Sequence, residues 1–397
     1  MLNRIVESPN VASHQASPSE ERITGYDVAR AMAFLGMVLV NYWAIMDNTV
    51  SCPDWLIFFL DLIQGRAAAT FVVLAGVGLS LLSKGLTLHH ETAAIKTNRH
   101  RIWRRAIVLF IIGVLNGVIW PADILRFYAL YFAVGAILVT FPNHRLVVLA
   151  VVPVFIFSLI MDILDFDLSW EQVPVSLHEW LNLPKVAGHL LFSGRYPFFP
   201  WISFLIMGVL LGRQNLSDIR LRRRLLLLGT AALVLSEFFS WIVFDIAPAS
   251  VFGWETEAFL PWFTIDPWEP MPLFVISAGG TALIMIVSFV AWAERFRNAR
   301  WLQPIVAIGQ STLTLYVAHI VVGEMGLKSL KSWNIDASLF PLWGGTLFFV
   351  LALAASSFWK RRFQKGPLEW LMLRILETPV PRRIMRFSYE SFTHGRR

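Results

Sequence analysis

The sequence predicts an all-α, polytopic membrane bundle of about ten transmembrane helices, with both termini in the cytoplasm. Three observations predict it. Of the 397 residues, 56% are hydrophobic and only 15% are charged, where a soluble domain carries about a quarter charged residues. Mean hydropathy is +0.59, and the 17 Trp and 31 Phe suit a chain whose aromatic rings gather at membrane interfaces. Apolar stretches near the ~20 residues that a spanning helix needs recur along the chain, without strand-type alternation. Disorder, a disulfide scaffold and a soluble α/β enzyme are excluded on these grounds. The single cysteine, Cys52, rules out an intramolecular disulfide and a Cys-based zinc site.

The predicted spans are 28–46, 64–83, 103–120, 124–141, 146–163, 198–212, 225–244, 271–293, 304–323 and 339–358. Loop charge orients them. Segments 84–105, 142–145, 213–224, 294–300 and 360–397 together hold 25 Lys and Arg, against 5 in the intervening loops, which carry 14 of the 27 acids. The basic side faces the cytoplasm. Residues 1–22 are polar and lack a signal-peptide apolar core, so the first span reads as a retained anchor. The bundle proper is then 23–358, followed by a basic cytoplasmic tail, 359–397, opening with Lys360-Arg361-Arg362. Within that tail Leu368, Leu371, Met372, Ile375 and Leu376 recur every three or four residues, as in an amphipathic helix on the membrane surface.

Ionisable residues inside spans default to functional candidates. Asp27 and Arg30 share a helical face, and Asn41 lies about three turns further along it. They line a polar cavity, or else form an interfacial ion pair with Asn41 bonded to a neighbour. Asp61 and Arg66, at the start of the second span, are a structural pair or a pocket for an anionic or hydroxylated substrate. Asn116, Asp123, Arg126 and Tyr128 surround the tight turn between the third and fourth spans, where Asp123 can also simply cap a helix. Arg195 and Tyr196 precede the sixth span and can clamp a carboxylate, phosphate or sugar, or belong to an aromatic belt. The ninth span aligns Thr312, Tyr316 and His319 in one stripe. His319 is the only histidine inside a span, suited to proton transfer near neutrality unless it is a packing residue. Arg99, Arg101, Arg104 and Arg105 are a topology signal or a phosphate site. No phosphate-binding loop, metal motif or serine elbow is present, no metal is expected, and the basic residues are not a nucleic-acid footprint.

The segment Arg22-Ile23-Thr24-Gly25-Tyr26-Asp27-Val28-Ala29-Arg30-Ala31, with Gly36-Met37 and Asn41-Tyr42, resembles the opening of YeiB-like membrane proteins. Three later blocks resemble them too. These are Arg104-Arg105 leading to Asp123-Ile124-Leu125-Arg126-Phe127-Tyr128-Ala129-Leu130, then Tyr196-Pro197-Phe198-Phe199-Pro200-Trp201 with Gly208, and finally Gly366-Pro367-Leu368-Glu369-Trp370-Leu371-Met372. YeiB-like proteins are distantly similar to heparan-α-glucosaminide N-acetyltransferase and to bacterial membrane acyltransferases that modify surface glycans. The resemblance implies an acyl group taken from coenzyme A at the cytoplasmic face and passed to an acceptor outside, in a bacterial inner membrane. It also implies a histidine in the first outer loop and, in many relatives, at position 116. Here residues 47–54 contain Asp47 and Asp54 but no His, and position 116 is Asn, so the base does not carry over directly.

The expected assignment follows. Arg101, Arg104 and Arg105 hold the phosphates of acetyl-coenzyme A, a co-substrate rather than a bound cofactor. Asn41 and Asn116 donate hydrogen bonds to the thioester carbonyl, and His319 takes the acceptor's proton. Asp27, Arg30, Asp61, Arg66, Asp123, Arg126, Tyr128, Arg195, Tyr196 and Tyr316 position a glycan or small polar acceptor. The alternatives are a transporter for a small polar or anionic solute, and a non-catalytic scaffold. A homo-oligomer is compatible with all three.

Overall fold

The computed structural model describes residues 24–46, 51–87, 92–164, 181–246, 257–333, 335–363 and 365–377. The predicted polar segment 1–22, the loop position Asp47 and the tail beyond 377 lie outside them. Among the described residues every regular element is helical, and seven helical runs are long and apolar enough to cross a membrane. An eighth is added if one bent pair counts as a single span. The protein is a multi-pass membrane helix bundle.

Helix α1 (Thr24–Met46) is its axis, with 16 of 23 residues buried. Small residues at 29, 31 and 33 let neighbours approach closely. Helices α2 (Asp54–Ile63) and α3 (Arg66–Thr87) meet at Gly65, whose φ of +68° only glycine adopts easily. The predicted start of the second span at 64 therefore falls on a turn. Helices α4 (Thr92–Gly117) and α5 (Leu125–Leu138) form a hairpin, and α6 (Asn143–Leu164) follows. Helix α7 (Leu183–Gly188) runs into a π-helical turn, His189–Ser193, then bends by 56° into α8 (Phe198–Gly212). Helix α9 (Ile219–Trp241) precedes α10 (Pro272–Arg295).

The ninth predicted span is broken. It consists of α11 (Leu302–Gln310) and α12 (Thr312–Ser332), separated at Ser311. Just before the break Gly309 packs on α1, where a Cβ would lie 1.9 Å from the Asp27 carbonyl oxygen. Helices α13 (Phe340–Arg362) and α14 (Pro367–Glu377) complete the chain. Contacts with α3, α10, α11, α12 and α13 surround α1. The closest helix approach elsewhere joins α3 to α8, where a Cβ on Gly76 would stand 2.1 Å from Leu205 O and one on Gly208 1.9 Å from Val73 O. On the periphery α9 exposes Leu227, Leu228, Val234, Leu235, Phe238 and Phe239, a face that hydrocarbon solvates.

The tail helix is more than a surface float. Met372 is buried while Trp370, Leu371 and Ile375 are exposed, so α14 seats one side on the bundle.

Candidate active site

Asp27 and Arg30 form the predicted same-face pair, with Arg30 Nη1 donating to Asp27 Oδ1 at 3.1 Å. Both also grip the broken span. Gln310 Nε2 donates to Asp27 Oδ2 at 2.9 Å, and Arg30 Nη1 reaches Gly309 O at 3.2 Å. The pair thus fixes the end of α11 against α1.

Two predicted residues that are far apart in sequence meet in the core. Asn41 Nδ2 lies 3.0 Å from His319 Nε2. On the other side of the ring Nδ1 faces the Tyr316 carbonyl, one turn back on α12. A carbonyl only accepts, so Nδ1 carries the proton and Nε2 presents its lone pair to the Asn41 amide. His319 is fully buried, enclosed by Phe34, Tyr42, Tyr316 and Phe348.

Tyr316 connects this pair to the α4–α5 turn. Its hydroxyl accepts from Ile124 N at 3.3 Å and faces Asp123. Asp123 is 0% exposed and accepts from Asn116 Nδ2 and Leu125 N, each at 2.8 Å. Arg126, 1% exposed, donates to Pro121 O and lies over the Phe127 ring. The turn between α4 and α5 is therefore enclosed. At about 1.5 Å per residue the 14 residues of α5 fall short of a ~30 Å hydrocarbon layer, which lets the turn sit inside the protein. Tyr196 and Arg195 join the same group. Arg195 stacks on Trp268 at 3.7 Å, and Tyr196 packs edge-on against Phe127. Tyr128 lies within electrostatic reach of both Tyr196 and Arg30. Five predicted acceptor residues, Asp123, Arg126, Tyr128, Tyr196 and Tyr316, are thus buried around this turn, with Arg195 half-buried beside them.

At that basic end Arg104 is engaged, since its guanidinium donates to the Leu376 and Ile375 carbonyls at the C-terminus of α14. Arg105 stands over Phe132 and within reach of Arg30 and Glu369. Arg101 is exposed.

Residues 22–224 match the family described as heparan-alpha-glucosaminide N-acetyltransferase, catalytic, which is just over half of the chain. The chain belongs to this acetyltransferase family. Its C-terminal part, 214–377, matches the family described as protein of unknown function (DUF418), in keeping with the YeiB-like resemblance. An uncharacterized 39.9 kDa protein from the amylase 3′ region of Bacillus acidopullulyticus is 22% identical over 374 residues, covering 89% of this chain and 93% of its own length.

Not every predicted residue lies in the cluster of this acetyltransferase-family chain. Arg66 pairs with Glu237 across three helices, not with Asp61. Arg66 Nη2 donates to Glu237 and, at 3.2 Å, to Ser277 Oγ, which in turn donates to Glu237 Oε1 at 3.0 Å. Asp61 is exposed near Asp266. Asp162, in α6, accepts from Trp262 Nε1 at 2.8 Å. Two polar residues outside the predicted set emerge. Gln310 completes the Asp27 pair, and Glu369 caps α12. Leu313 N and Thr314 N donate to Glu369 Oε1 at 2.7 and 3.2 Å. The recognisable signal for Glu369 was its place in the Gly366-Pro367-Leu368-Glu369 block. A Cβ on Gly366 would meet Glu369 Oε2 at 2.2 Å.

Proposed function

We propose that this chain is an integral-membrane acyltransferase that passes an acetyl or other acyl group from cytoplasmic coenzyme A to a glycan or small polar acceptor at the outer face. The observation that supports it most is the buried polar row running from Asn41 and His319 through Tyr316 to Asp123 and Asn116. A row of this kind gives polar reactants a path through an apolar bundle. The reading includes ten crossings with both termini cytoplasmic, so that α4, α5 and the bent α7–α8 pair also cross.

Arg101 and Arg105 carry the charge suited to the phosphates of coenzyme A. In the transfer, the acceptor's O–H or N–H takes the place of the Asn41 amide at His319 Nε2 and gives up its proton there. The acceptor oxygen or nitrogen bonds to the acyl carbon, the C–S bond breaks, and coenzyme A leaves as its thiolate. Asn41 and Asn116 supply amide hydrogen bonds to the carbonyl oxygen as charge gathers on it. Asp123, Arg126, Arg195, Tyr196 and Tyr316 orient the acceptor.

The test is acetyl-coenzyme A binding by purified protein in detergent, beside an Arg101→Ala/Arg105→Ala variant. Arg104 is left in place because it anchors α14. Saturable binding that the variant weakens by about tenfold or more supports the reading. No binding at about 1 mM overturns it. A transporter for a small polar or anionic solute is the second reading, favoured by the break at Ser311, since transporters build sites from discontinuous helices. Solute flux without acyl transfer would select it.

A further inference from the structure

Among the described residues two histidines are buried, with opposite hydrogen bonding. His319 has both ring nitrogens engaged. His189 is 2% exposed, and neither of its nitrogens has a hydrogen-bond partner among the described residues. Buried polar groups are otherwise satisfied almost without exception, and a neutral imidazole has one donor and one acceptor to place.

The surroundings of His189 are those of a site. It opens the π-helical turn His189–Ser193, a local geometry frequent at functional positions. The chain then bends through Gly194 to Pro197, and irregular backbone in a membrane protein is tolerated where it is buried or lines a cavity. Phe127 lies 5.4 Å from the His189 ring, and the Arg126 guanidinium stands over the same Phe127. Gly194 leaves room for this, as a Cβ there would be 2.5 Å from Phe127. The charges of Arg126 and Lys185 both reach His189. Through Tyr196, which contacts Phe127, the ring group extends to Trp201, whose Nε1 also has no hydrogen-bond partner among the described residues. Asp123, three residues before Arg126, already accepts from Asn116 and Leu125.

We infer that His189, with Arg126, forms an anion subsite, so that the acceptor carries a carboxylate or phosphate as well as the group that is acylated. The inference rests on the acyltransferase reading for the word acceptor, but not for the anion. His189 donates to the anion while Arg126 supplies charge.

Three probes decide it with the full chain in detergent: galacturonate for the carboxylate, glucose 6-phosphate for the phosphate, and uncharged glucose. At least one anionic sugar is expected to bind about tenfold or more tighter than glucose, and the winner identifies the anion. His189→Ala should erase that margin and His189→Gln, which still donates and accepts, should keep part of it. If His189→Ala does not fold, the wild-type margin and the Gln variant decide. Equal binding of charged and uncharged sugars, or an undiminished margin in the folded Ala variant, overturns the inference. Acetyl transfer measured on the same samples separates the two readings. A margin without transfer sinks the acyltransferase and keeps the subsite, whereas transfer with a preference for glucose sinks the subsite alone.

Discussion

Glu369 holds Thr314 twice, accepting from its backbone N–H at 3.2 Å and from its hydroxyl at 2.6 Å. A carboxylate from the tail helix thereby caps the helix that carries Tyr316 and His319. Leu313 N adds a third bond, and the Thr314 hydroxyl also accepts from Leu368 N at 3.0 Å. Helix α14 is returned the favour at its other end, where Arg104 satisfies its last carbonyls.

Removing that carboxylate leaves first-turn N–H groups of α12 without acceptors. Glu369→Ala is expected to destabilise the protein by about 1–2 kcal/mol. Glu369→Gln keeps an acceptor without the charge and should lose about half as much. Thermal unfolding of the full chain in detergent measures both, and an Ala variant as stable as wild type would show that α14 contributes nothing to the cap.

The Arg66–Glu237 pair invites a double-mutant cycle. Breaking a buried pair from one side costs about 3–5 kcal/mol, but the Glu237 side chain is 37% exposed, so about 2 kcal/mol is expected for Arg66→Met. Replacing both with Arg66→Met and Glu237→Leu should recover most of the loss, because no orphaned charge remains. Additive losses in the double variant would mean that the two side chains do not interact.

Two glycines of α3 and α8 make opposite predictions. A Cβ on Gly208 meets backbone of α3, which cannot step aside, while one on Gly78 meets nothing within 4 Å. Gly208→Ala should cost about 3 kcal/mol by overpacking and reduce the yield of monodisperse protein. Gly78→Ala should be neutral or stabilising by about 0.5 kcal/mol, since glycine is the poorer helix former. Size-exclusion profiles and melting curves in one detergent compare them directly.

Local chemistry made much of this legible in the sequence. Apolar runs located the helices, and the three-residue spacing of Asp27 and Arg30 gave a contact that exists. The Thr312, Tyr316 and His319 stripe points inward as its polarity implied. What sequence periodicity could not carry was anything decided between helices. The break at Ser311 sits beside the close approach of Gly309 to α1, and Arg66 finds Glu237 rather than Asp61 because α3, α9 and α10 converge there. The enclosure of Asp123 depends on how deep a short hairpin sits. The engagement of Arg104, expected as a topology signal or a phosphate site, is not legible because its partners, the carbonyls of Ile375 and Leu376, are backbone atoms more than two hundred residues away.

His319 and Asn41 provide the sharpest test of the proposed transfer. With Nδ1 facing Tyr316 O and Nε2 facing Asn41, a packing role and a proton-accepting role predict different responses to the same substitution. Glutamine at 319 can still donate to a carbonyl and accept from an amide, so His319→Gln should retain activity if the ring only packs. It cannot accept a proton near neutrality, so activity should fall by about 10²–10⁴-fold if the ring is the base. Acetyl-coenzyme A binding should be unchanged in that variant. Asn41→Ala should lower turnover by about 10²–10³-fold through the lost carbonyl hydrogen bond, again with little effect on binding. Single-turnover acyl transfer measured beside equilibrium binding reads both quantities. Full transfer by His319→Gln would remove the base from α12 and leave Asn41 as the member of the pair that touches the reacting carbonyl.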